Sequence, residues 1–265
     1  MPSEPIVRLA VFAGAFILFS GLEAMFPRRQ RRHSRTERWL TNGMMLVVGT
    51  VLLRGAAVAL PLIAAVAAAD YAAASGIGVF NFAGLPLWLE IMLAVIVLDF
   101  AVWLQHLLSH KIPVLWRIHR VHHADHDFDA STALRFHPIE LFLSAVYKLG
   151  VVLILGPTVL AVVLFEIILN ASAMFNHANL ALPQRFDTVV RSLFVTPDMH
   201  RVHHSVHRSE HNQNYGFCLS IWDRIFRTYT AAPRDGHAEM TIGLASYQDQ
   251  PTENLGWSLW LPVRR

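Results

Sequence analysis

Three histidine clusters are the residues of this sequence best suited to chemistry. The pentapeptide His-Arg-Val-His-His occupies positions 119–123 and recurs letter for letter at 200–204, and His106 and His110 stand ahead of the first copy. Residues three and four apart share a helix face, so each cluster presents two or three imidazoles to one point. Because neutral imidazole is the commonest metal-ligating side chain, the pattern predicts a metal site. The alternative is a set of solvated or hydrogen-bonded histidines, including a pH switch.

The clusters and one further histidine, His177, supply more imidazoles than one ion can bind. Two ions sharing four or five imidazoles each account for the number, and nitrogen-rich sites suit iron, zinc, copper or nickel. The His-Glu-x-x-His motif of zinc proteases and the Glu-x-x-His motif of soluble di-iron proteins are both absent. The predicted metal ligands are His106, His110, His119, His122, His123, His177, His200, His203 and His204.

Four further histidines and two carboxylates are candidates to bind the metal ions or to contact their ligands. Asp99 precedes His106 by seven residues, so its carboxylate could orient that ring, or it could simply face water at a helix end. His126 and His211 are predicted to be surface or outer-contact residues. The candidates for either metal binding or contact with a ligand are His137, Asp99, Asp223 and His207.

Composition indicates a membrane protein. Of the 265 residues, 54% are hydrophobic and 15% are charged, whereas soluble domains carry about 25% charged residues. The single cysteine, Cys218, excludes a disulfide framework and thiolate-bound zinc or iron–sulfur sites, which need several sulfur ligands. We expect Cys218 to be a small buried apolar residue.

Apolar stretches predict an all-α, multi-pass helical bundle of about three spans and a helical hairpin. The spans are expected at about 6–26, 43–69 and 86–108, and the hairpin at 139–176, broken by Gly156-Pro157. We predict that the whole chain, 1–265, forms one domain. Its histidine-rich cap is expected at about 106–138 and 177–230.

Charge predicts how the bundle is oriented. Arginines crowd the segment after the first apolar stretch, where the positive-inside rule places cytoplasmic loops, and the loop from Asp70 to Leu85 has no lysine or arginine. The first stretch is expected to be a retained anchor, and the arginine cluster does not indicate nucleic-acid binding. The histidine clusters would then face the cytoplasm, in a bacterial inner membrane. The clustered residues are Arg28, Arg29, Arg31, Arg32, Arg35 and Arg38.

Two further predictions concern charge and aromatic residues near the lipid. Lys148 lies nine residues before Pro157 and Glu166 nine after it, so the hairpin arms should pair them inside the membrane. The alternative role for Glu166 is a proton relay. The C-terminal residues are predicted to form an interfacial belt on the lipid headgroups: Trp257, Trp260, Arg264 and Arg265.

From about Asp99 to Tyr229 the chain resembles the fatty acid hydroxylase and sterol desaturase superfamily, which are non-haem di-iron membrane oxygenases. Relatives with a further H-x-x-x-H pair at the hairpin's end would have a second histidine beside His177, and Arg227 stands where relatives tend to have glycine. The matching motifs are Asp99 with His106, His106-x-x-x-His110, Trp116-Arg117-x-His119-x-x-His122-His123, Arg135-x-His137-Pro138-x-Glu140, Asn176-His177-Ala178-Asn179, Thr196-Pro197-x-Met199-His200-Arg201-x-His203-His204, Asn214-Tyr215-Gly216 and Trp222-Asp223-Arg224-x-Phe226.

The resemblance implies two iron ions, O2 as co-substrate and a lipid from the bilayer as substrate, hydroxylated or desaturated at a C–H bond. No G-x-G-x-x-G motif for a nicotinamide or flavin is present. Electrons would therefore come from a partner such as a ferredoxin or a b-type cytochrome with its reductase. A zinc metallohydrolase on the same histidines and a metal carrier or sensor are the competing interpretations. The lipid class is left open.

Overall fold

The computed structural model describes residues 4–264, and this part of the chain is helical, with no strand. Four short 3-10 turns are also present, at Pro61–Ile63, Ala130–Leu134, Ala245–Tyr247 and Leu261–Val263. The all-α class predicted from the sequence is confirmed. The α-helices are α1 (Glu4–Met25), α2 (Arg35–Ala59), α3 (Ala65–Ser75), α4 (Val79–Ala83), α5 (Leu87–Lys111), α6 (Pro113–His123), α7 (Pro138–Leu155), α8 (Val159–His177), α9 (Gln184–Val190), α10 (Pro197–His203), α11 (Arg208–His211), α12 (Ile221–Ile225), α13 (Gly236–Glu239) and α14 (Leu255–Trp260).

Five of these helices, α1, α2, α5, α7 and α8, are long and apolar enough to cross a membrane. Their outer faces carry large apolar side chains, such as Leu9 at 67% exposure and Ile154 at 69%. A soluble monomer rarely exposes so continuous an apolar surface, whereas a lipid-facing bundle does. The number of long apolar helices and the exposed apolar side chains on them confirm the predicted multi-pass architecture.

The second apolar stretch differs from the prediction of one span at about 43–69. Helix α2 begins eight residues earlier, at Arg35, where the Ser34 side chain accepts the backbone N–H of Glu37. It ends at Ala59, because Pro61 lacks an N–H and disfavours helical geometry at Leu60. The remainder of the stretch forms the 3-10 turn Pro61–Ile63 and the beginning of the separate helix α3 (Ala65–Ser75).

The hairpin turns where Gly156-Pro157 interrupts the last apolar stretch. Helix α7 ends in the left-handed conformation at Gly156, with φ of 60°, and the Thr158 side chain caps α8. A Cβ atom on Gly156 would lie 2.4 Å from the carbonyl oxygen of Ile77. The turn therefore requires glycine both for its backbone angle and for the close approach of the preceding loop.

All three histidine clusters lie at one end of the bundle. The carboxyl ends of α1, α5 and α8 and the amino ends of α2 and α7 meet there, and the segments between and after them form a cap. The arginine-rich segment joins this cap, since the backbone N–H of Arg28 donates to the Asn179 carbonyl at 2.9 Å and its guanidinium pairs with Asp198 at 3.1 Å. The topology thus brings distant histidine clusters to one place.

The C-terminal segment lies against the cap rather than forming a belt along its whole length. Trp257 is 5% exposed and packs with Met45 and Val121, so the prediction of an interfacial position is wrong for this residue. The reason is that α14 packs one side, with Trp257 and Ser258, against the cap. Trp260 is exposed, as a belt residue would be. Arg265 lies outside the described residues.

The predicted ion pair inside the hairpin is confirmed. The Lys148 ammonium lies 3.1 Å from a carboxylate oxygen of Glu166. Arg8 of α1 also pairs with this carboxylate, which the sequence did not predict. Two cations therefore compensate one carboxylate between three membrane-spanning helices, and Glu4 pairs with the same arginine.

Removing Glu166 alone should cost more stability than removing it together with Lys148. In Glu166→Leu the ammonium is left in the apolar bundle without its partner, at a cost of up to about 3 kcal/mol, whereas Lys148→Met/Glu166→Leu leaves only Arg8, which can reach Glu4. Unfolding of the protein in detergent measures the difference. A double variant less stable than the single one would contradict the pairing. If the double variant keeps its fold but loses as much activity as Glu166→Gln, Glu166 acts as a proton relay, since both variants lack its carboxylate.

Candidate metal centre

Nine histidines converge in one buried centre at the capped end of the bundle. The structure brings together every histidine that was predicted as a ligand: α5 contributes two, α6 three, α8 one, and α10 with the residue after it three. The ring centroids of His177 and His200 lie 4.4 Å apart, and those of His123 and His204 lie 4.6 Å apart. All nine are buried: His106, His110, His119, His122, His123, His177, His200, His203 and His204.

The nine rings divide into two adjoining groups. In each group the donor nitrogens all lie within 4.8 Å of one another. The first group is His106, His110, His119, His123 and His203. The second group is His122, His177, His200 and His204. Each copy of the repeated pentapeptide contributes to both groups, so the duplication places ligands on two neighbouring points rather than one.

Spacing between ring nitrogens matches the geometry of ligands on a shared ion. The Nε2 atoms of His106 and His119 lie 3.1 Å apart, as do those of His122 and His177 and those of His177 and His200. Metal–imidazole bonds of about 2.0–2.1 Å give adjacent ligand atoms separations of about 2.9–3.4 Å, from octahedral to tetrahedral. These three separations therefore fit pairs of ligands on a shared ion.

Hydrogen bonds on the far side of the rings turn their Nε2 atoms inward. The Nδ1 atoms of His106, His177 and His203 lie 2.6–2.7 Å from the carbonyl oxygens of Tyr215, Ala173 and Gln213, to which they donate. A carbonyl accepts only from a protonated nitrogen, so each contact places the hydrogen on Nδ1 and leaves a lone pair on Nε2. This is the outer arrangement that orients metal-bound histidines.

Glu140 gives His119 a stronger version of the same contact. Its carboxylate oxygen lies 2.6 Å from the His119 Nδ1 atom, at the first turn of α7. A carboxylate on the outer nitrogen makes an imidazole a better electron donor to a metal. Glu140 belongs to the motif that carries the family resemblance, but no role for it is predicted from the sequence. Its position three residues after His137 was the available signal.

Several buried ring nitrogens have no hydrogen-bond partner among the described residues. They are both nitrogens of His110 and His204, Nδ1 of His122 and His200, and Nε2 of His123 and His203. Each buried polar atom without a partner costs about 1–3 kcal/mol. Such a concentration is costly in a protein that binds nothing there, and two bound ions would satisfy one nitrogen each of His110, His123, His203 and His204.

The protonation state of the rings suits metal binding as well. Burial lowers the pKa of four cap histidines well below the ordinary value for histidine, and repulsion from neighbouring histidines lowers it further. These residues are His122, His123, His200 and His204. These side chains are therefore neutral near pH 7 and present lone pairs. The donor set of neutral imidazoles fits two divalent transition-metal ions, and iron is one of the metals that imidazole ligands bind.

Asp99 and Asp223 hold the cap loop rather than a histidine ring. Asp99 accepts the backbone N–H groups of Cys218 and Leu219 at 3.2 Å and the indole N–H of Trp222 at 2.8 Å. Seven residues are about 10 Å along a helix, too far for its carboxylate to reach His106, whose ring is oriented by a carbonyl instead. Cys218 itself is buried and free, as expected.

Asp223 affects the centre indirectly, through the backbone of Tyr215 and Gly216. It accepts the backbone N–H groups of Tyr215 at 2.9 Å and Gly216 at 2.8 Å, and the indole N–H of Trp103 at 3.1 Å. Because the Tyr215 carbonyl is the partner of His106, Asp223 positions the loop that orients this ring. Its carboxylate contacts no ligand nitrogen in the described hydrogen bonds.

The other candidate histidines lie outside both groups. His137 caps α7: its Nδ1 accepts the Ile139 N–H at 3.2 Å and its Nε2 donates to the Leu259 carbonyl at 3.1 Å. His207 pairs with Asp235 at 2.6 Å on the cap surface. His211 stacks on Trp116 beside the first group. The structure thus assigns structural contacts to these residues.

An apolar cavity of about 200 Å³ reaches the first group of histidines from within the bundle. His106 and His119 form part of its wall, and Glu140 lies beside them. Most of its remaining lining is apolar. The spanning helices contribute Phe12, Leu46, Val102, Leu141 and Leu169, and the cap contributes Phe217. Five polar side chains interrupt this lining: Gln105, Ser109, Ser144, Lys148 and Asn170.

A second cavity of about 380 Å³ approaches the centre from the cap. It contacts His110, and Arg120 and Arg208 contribute positive charge to its wall. The centre is therefore reached from the apolar side through one cavity and from the polar side through another.

Replacing Glu140 by glutamine should weaken metal binding at the first group by about 10–100-fold, because His119 loses its carboxylate partner. Metal competition with a chelator, monitored on purified protein, measures the change. Asp235→Asn is the matched control, since Asp235 contacts only the peripheral His207. Equal affinity in the Glu140→Gln variant and the unmodified protein would show that the carboxylate does not tune this group.

Comparison with known proteins places this centre in a family. The fatty acid hydroxylase family model matches residues 91–228, just over half of the chain. Human alkylglycerol monooxygenase is 30% identical over 138 residues, 50% of this chain and 29% of the relative. Ornithine lipid hydroxylase OlsE of Rhizobium tropici is 30% identical over 159 residues, 59% of this chain and 46% of the relative.

A third relative, human cholesterol 25-hydroxylase, is 29% identical over 136 residues, 51% of this chain and 48% of the relative. The chain thus spans less than half the length of each of these three curated relatives. No solved structure matches it. The matched region carries all nine histidines of the centre. This chain belongs to the fatty acid hydroxylase family.

Proposed function

We propose that this chain is a membrane-bound oxygenase that holds two iron ions on its nine histidines and hydroxylates a C–H bond of a lipid. It would use O2 and electrons supplied from outside the chain. The observation that carries the proposal is the pair of buried histidine groups beside an apolar cavity. The three relatives are named as a monooxygenase and hydroxylases of lipids, which supports hydroxylation over desaturation.

Each histidine group would hold one ion, the first with five imidazoles and the second with four. Bound iron would supply activation of O2. The chain's own contribution is to fix the rings through the outer hydrogen bonds and to keep four cap histidines neutral by burial: His122, His123, His200 and His204. Glu140 holds the proton of His119 on Nδ1, away from the metal side of the ring.

The apolar cavity would bind the lipid and keep water from the reacting carbon. Its wall of apolar side chains matches an acyl or sterol-like chain, and its contact with His106 and His119 brings one carbon of that chain to the first group. The cavity lies among spanning helices, so substrate entry from the bilayer is the natural route. Ser144 and Gln105 would contact a polar group on the substrate.

Electrons would arrive on the polar side. The second cavity reaches His110 from the cap, and Arg120 and Arg208 make its wall positive. An acidic electron-donor protein, such as a ferredoxin or a b-type cytochrome with its reductase, would be attracted to this face. The basic segment of residues 28–38 joins the same cap, and by the positive-inside rule this supports a centre on the cytoplasmic side. The proposed membrane is a bacterial inner membrane.

The test uses purified protein reconstituted with ferrous iron, a reductant and a bacterial lipid extract. We expect O2 consumption coupled to a hydroxylated lipid, detected by mass spectrometry, that requires both iron and O2. Absence of any such product from every lipid class would reject the proposal. A zinc-loaded protein that instead releases a hydrolysis product without O2 would assign the centre to a metallohydrolase.

Filling the apolar cavity should impair substrate binding without affecting metal content. Ala133 lines the cavity, so Ala133→Phe places a ring where the lipid would lie and should raise KM for the lipid by about 10-fold or more. Ala73→Phe is the control, because Ala73 of α3 is exposed on the outer surface. Unchanged kinetics with a bulkier side chain at 133 would show that the substrate does not use this cavity.

A further inference from the structure

A third group of metal-ligating side chains lies outside the nine-histidine centre. His33 comes from the arginine-rich segment before α2, His126 from the loop after α6, and Glu253 from the C-terminal segment. One donor atom of each lies within 4.8 Å of the others. Three stretches that are far apart in sequence therefore meet at one point on the cap.

The His126 ring is held with a lone pair facing this point. Its Nε2 atom lies 2.7 Å from the Tyr247 carbonyl oxygen, which accepts only from a protonated nitrogen. In the neutral ring the Nδ1 atom is then unprotonated, and it faces the Glu253 carboxylate. A lone pair and a carboxylate repel each other unless a cation lies between them. His126 is also buried.

The distances match a bound ion better than a hydrogen bond. The Oε1 atom of Glu253 lies 3.4 Å from Nδ1 of His126 and 3.7 Å from Nδ1 of His33. Both exceed the 2.7–3.2 Å typical of N–H···O hydrogen bonds. Ligands on a tetrahedral zinc ion, with bonds of about 2.0–2.2 Å, are separated by about 3.3–3.6 Å. The first distance falls in that range and the second lies just above it.

The backbone around two of these residues is fixed in place. The Asp127 carboxylate accepts the backbone N–H of His33 at 3.3 Å and that of Arg32 at 2.8 Å. The Thr41 hydroxyl donates to the Glu253 carbonyl. The donor atoms are therefore presented by anchored segments, which lowers the ordering cost of binding an ion.

We propose that His33, His126 and Glu253 form a third metal site that binds one divalent transition-metal ion of the zinc type. Three protein ligands leave one tetrahedral position for water, and His33, which is exposed, gives the ion access from solvent. The ion ties the C-terminal segment to the loop that follows the second histidine cluster. The site is independent of the proposed oxygenase reaction.

The test measures zinc bound to the full chain in detergent, purified with a tag that contains no histidine. After saturation with Zn²⁺ and removal of excess, we expect His33→Ala and Glu253→Ala each to bind one zinc ion fewer per chain than the unmodified protein. The readout is this difference, so it does not depend on how many ions the nine-histidine centre holds or on whether the protein has oxygenase activity. Helical circular dichroism of each variant verifies the fold.

Asp249→Ala is the matched control, because Asp249 is an exposed carboxylate four residues before Glu253 in the same segment. It should bind as much zinc as the unmodified protein. Added Zn²⁺ should also slow proteolysis of the C-terminal segment in the unmodified protein and in Asp249→Ala, but not in Glu253→Ala. Equal zinc content in all four proteins would overturn the proposal and leave a simple histidine–carboxylate cluster.

Discussion

Replacing His204 by alanine is expected to remove one metal ion per chain and to lower lipid hydroxylation by more than about 100-fold. Loss of an outer contact alone costs about 10–100-fold in metal affinity or activity, so loss of a ligand should exceed it. His204 is buried in the second group, its two ring nitrogens have no partner among the described residues, and its ring lies 4.6 Å from that of His123 in the first group. Metal analysis and turnover of the purified variant measure both effects.

The control for this variant is His207→Ala. His207 lies three residues farther along the same segment, was a candidate from the sequence, and pairs with Asp235 at the surface. We expect it to keep its metal content and most of its activity. If His207→Ala lost as much metal as His204→Ala, the division between the nine central histidines and the peripheral ones would be incorrect.

The histidine clusters could be predicted because their chemistry is local in sequence. Spacings of three and four residues put the rings of each cluster on one helix face, whatever the rest of the fold does. The apolar stretches likewise predicted the spanning helices, and Gly156-Pro157 predicted the hairpin turn. The clusters then had to share one side of the membrane, because the number of spans between them left no other arrangement.

The division of the rings between two groups could not be predicted from the sequence. His122 and His123 are neighbours in the chain, but they belong to different groups. On a helix, consecutive residues point about 100° apart, and only the packing of α6 against α8 and α10 decides which partners each one meets. The second group forms because His177 arrives from the hairpin, beside His122 and His200.

The hydrogen bonds to the outer nitrogens of the histidine rings could not be predicted for a similar reason. Carbonyl partners such as Tyr215 and Gln213 carry no signal in their side chains, since the backbone makes the contact. On an isolated helix, the spacing of seven residues puts Asp99 and His106 on the same face and predicts a contact between them. In the fold, the loop at Cys218–Trp222 packs against Asp99 and uses its carboxylate.

Arg38 shows where a sequence interpretation was incomplete. The arginine-rich segment was interpreted through membrane topology alone, but Arg38 is fully buried in the cap. It lies 2.6 Å from Asp125 and 2.6 Å from Asp129, residues about 90 positions away. The alternating carboxylates that begin at Asp125, two residues after the second histidine cluster, were the available signal. They link the arginine segment to the loop that follows His123.

Replacing Arg38 by methionine should lower the free energy of unfolding by about 3–5 kcal/mol, because two buried carboxylates lose their counter-charge. Although burial alone would raise it, the Arg38 guanidinium holds the pKa of Asp125 well below its usual range. The stabilisation from this pair is therefore fully present above about pH 4 and is lost as the pH falls toward the lowered pKa. Unfolding of the detergent-solubilised protein as a function of pH measures both effects. Arg32→Met is the control, because Arg32 is exposed and, among residues 4–264, its guanidinium hydrogen-bonds only to the Glu239 carbonyl. Equal loss of stability in the two variants would show that the buried pair does not hold the cap onto the bundle.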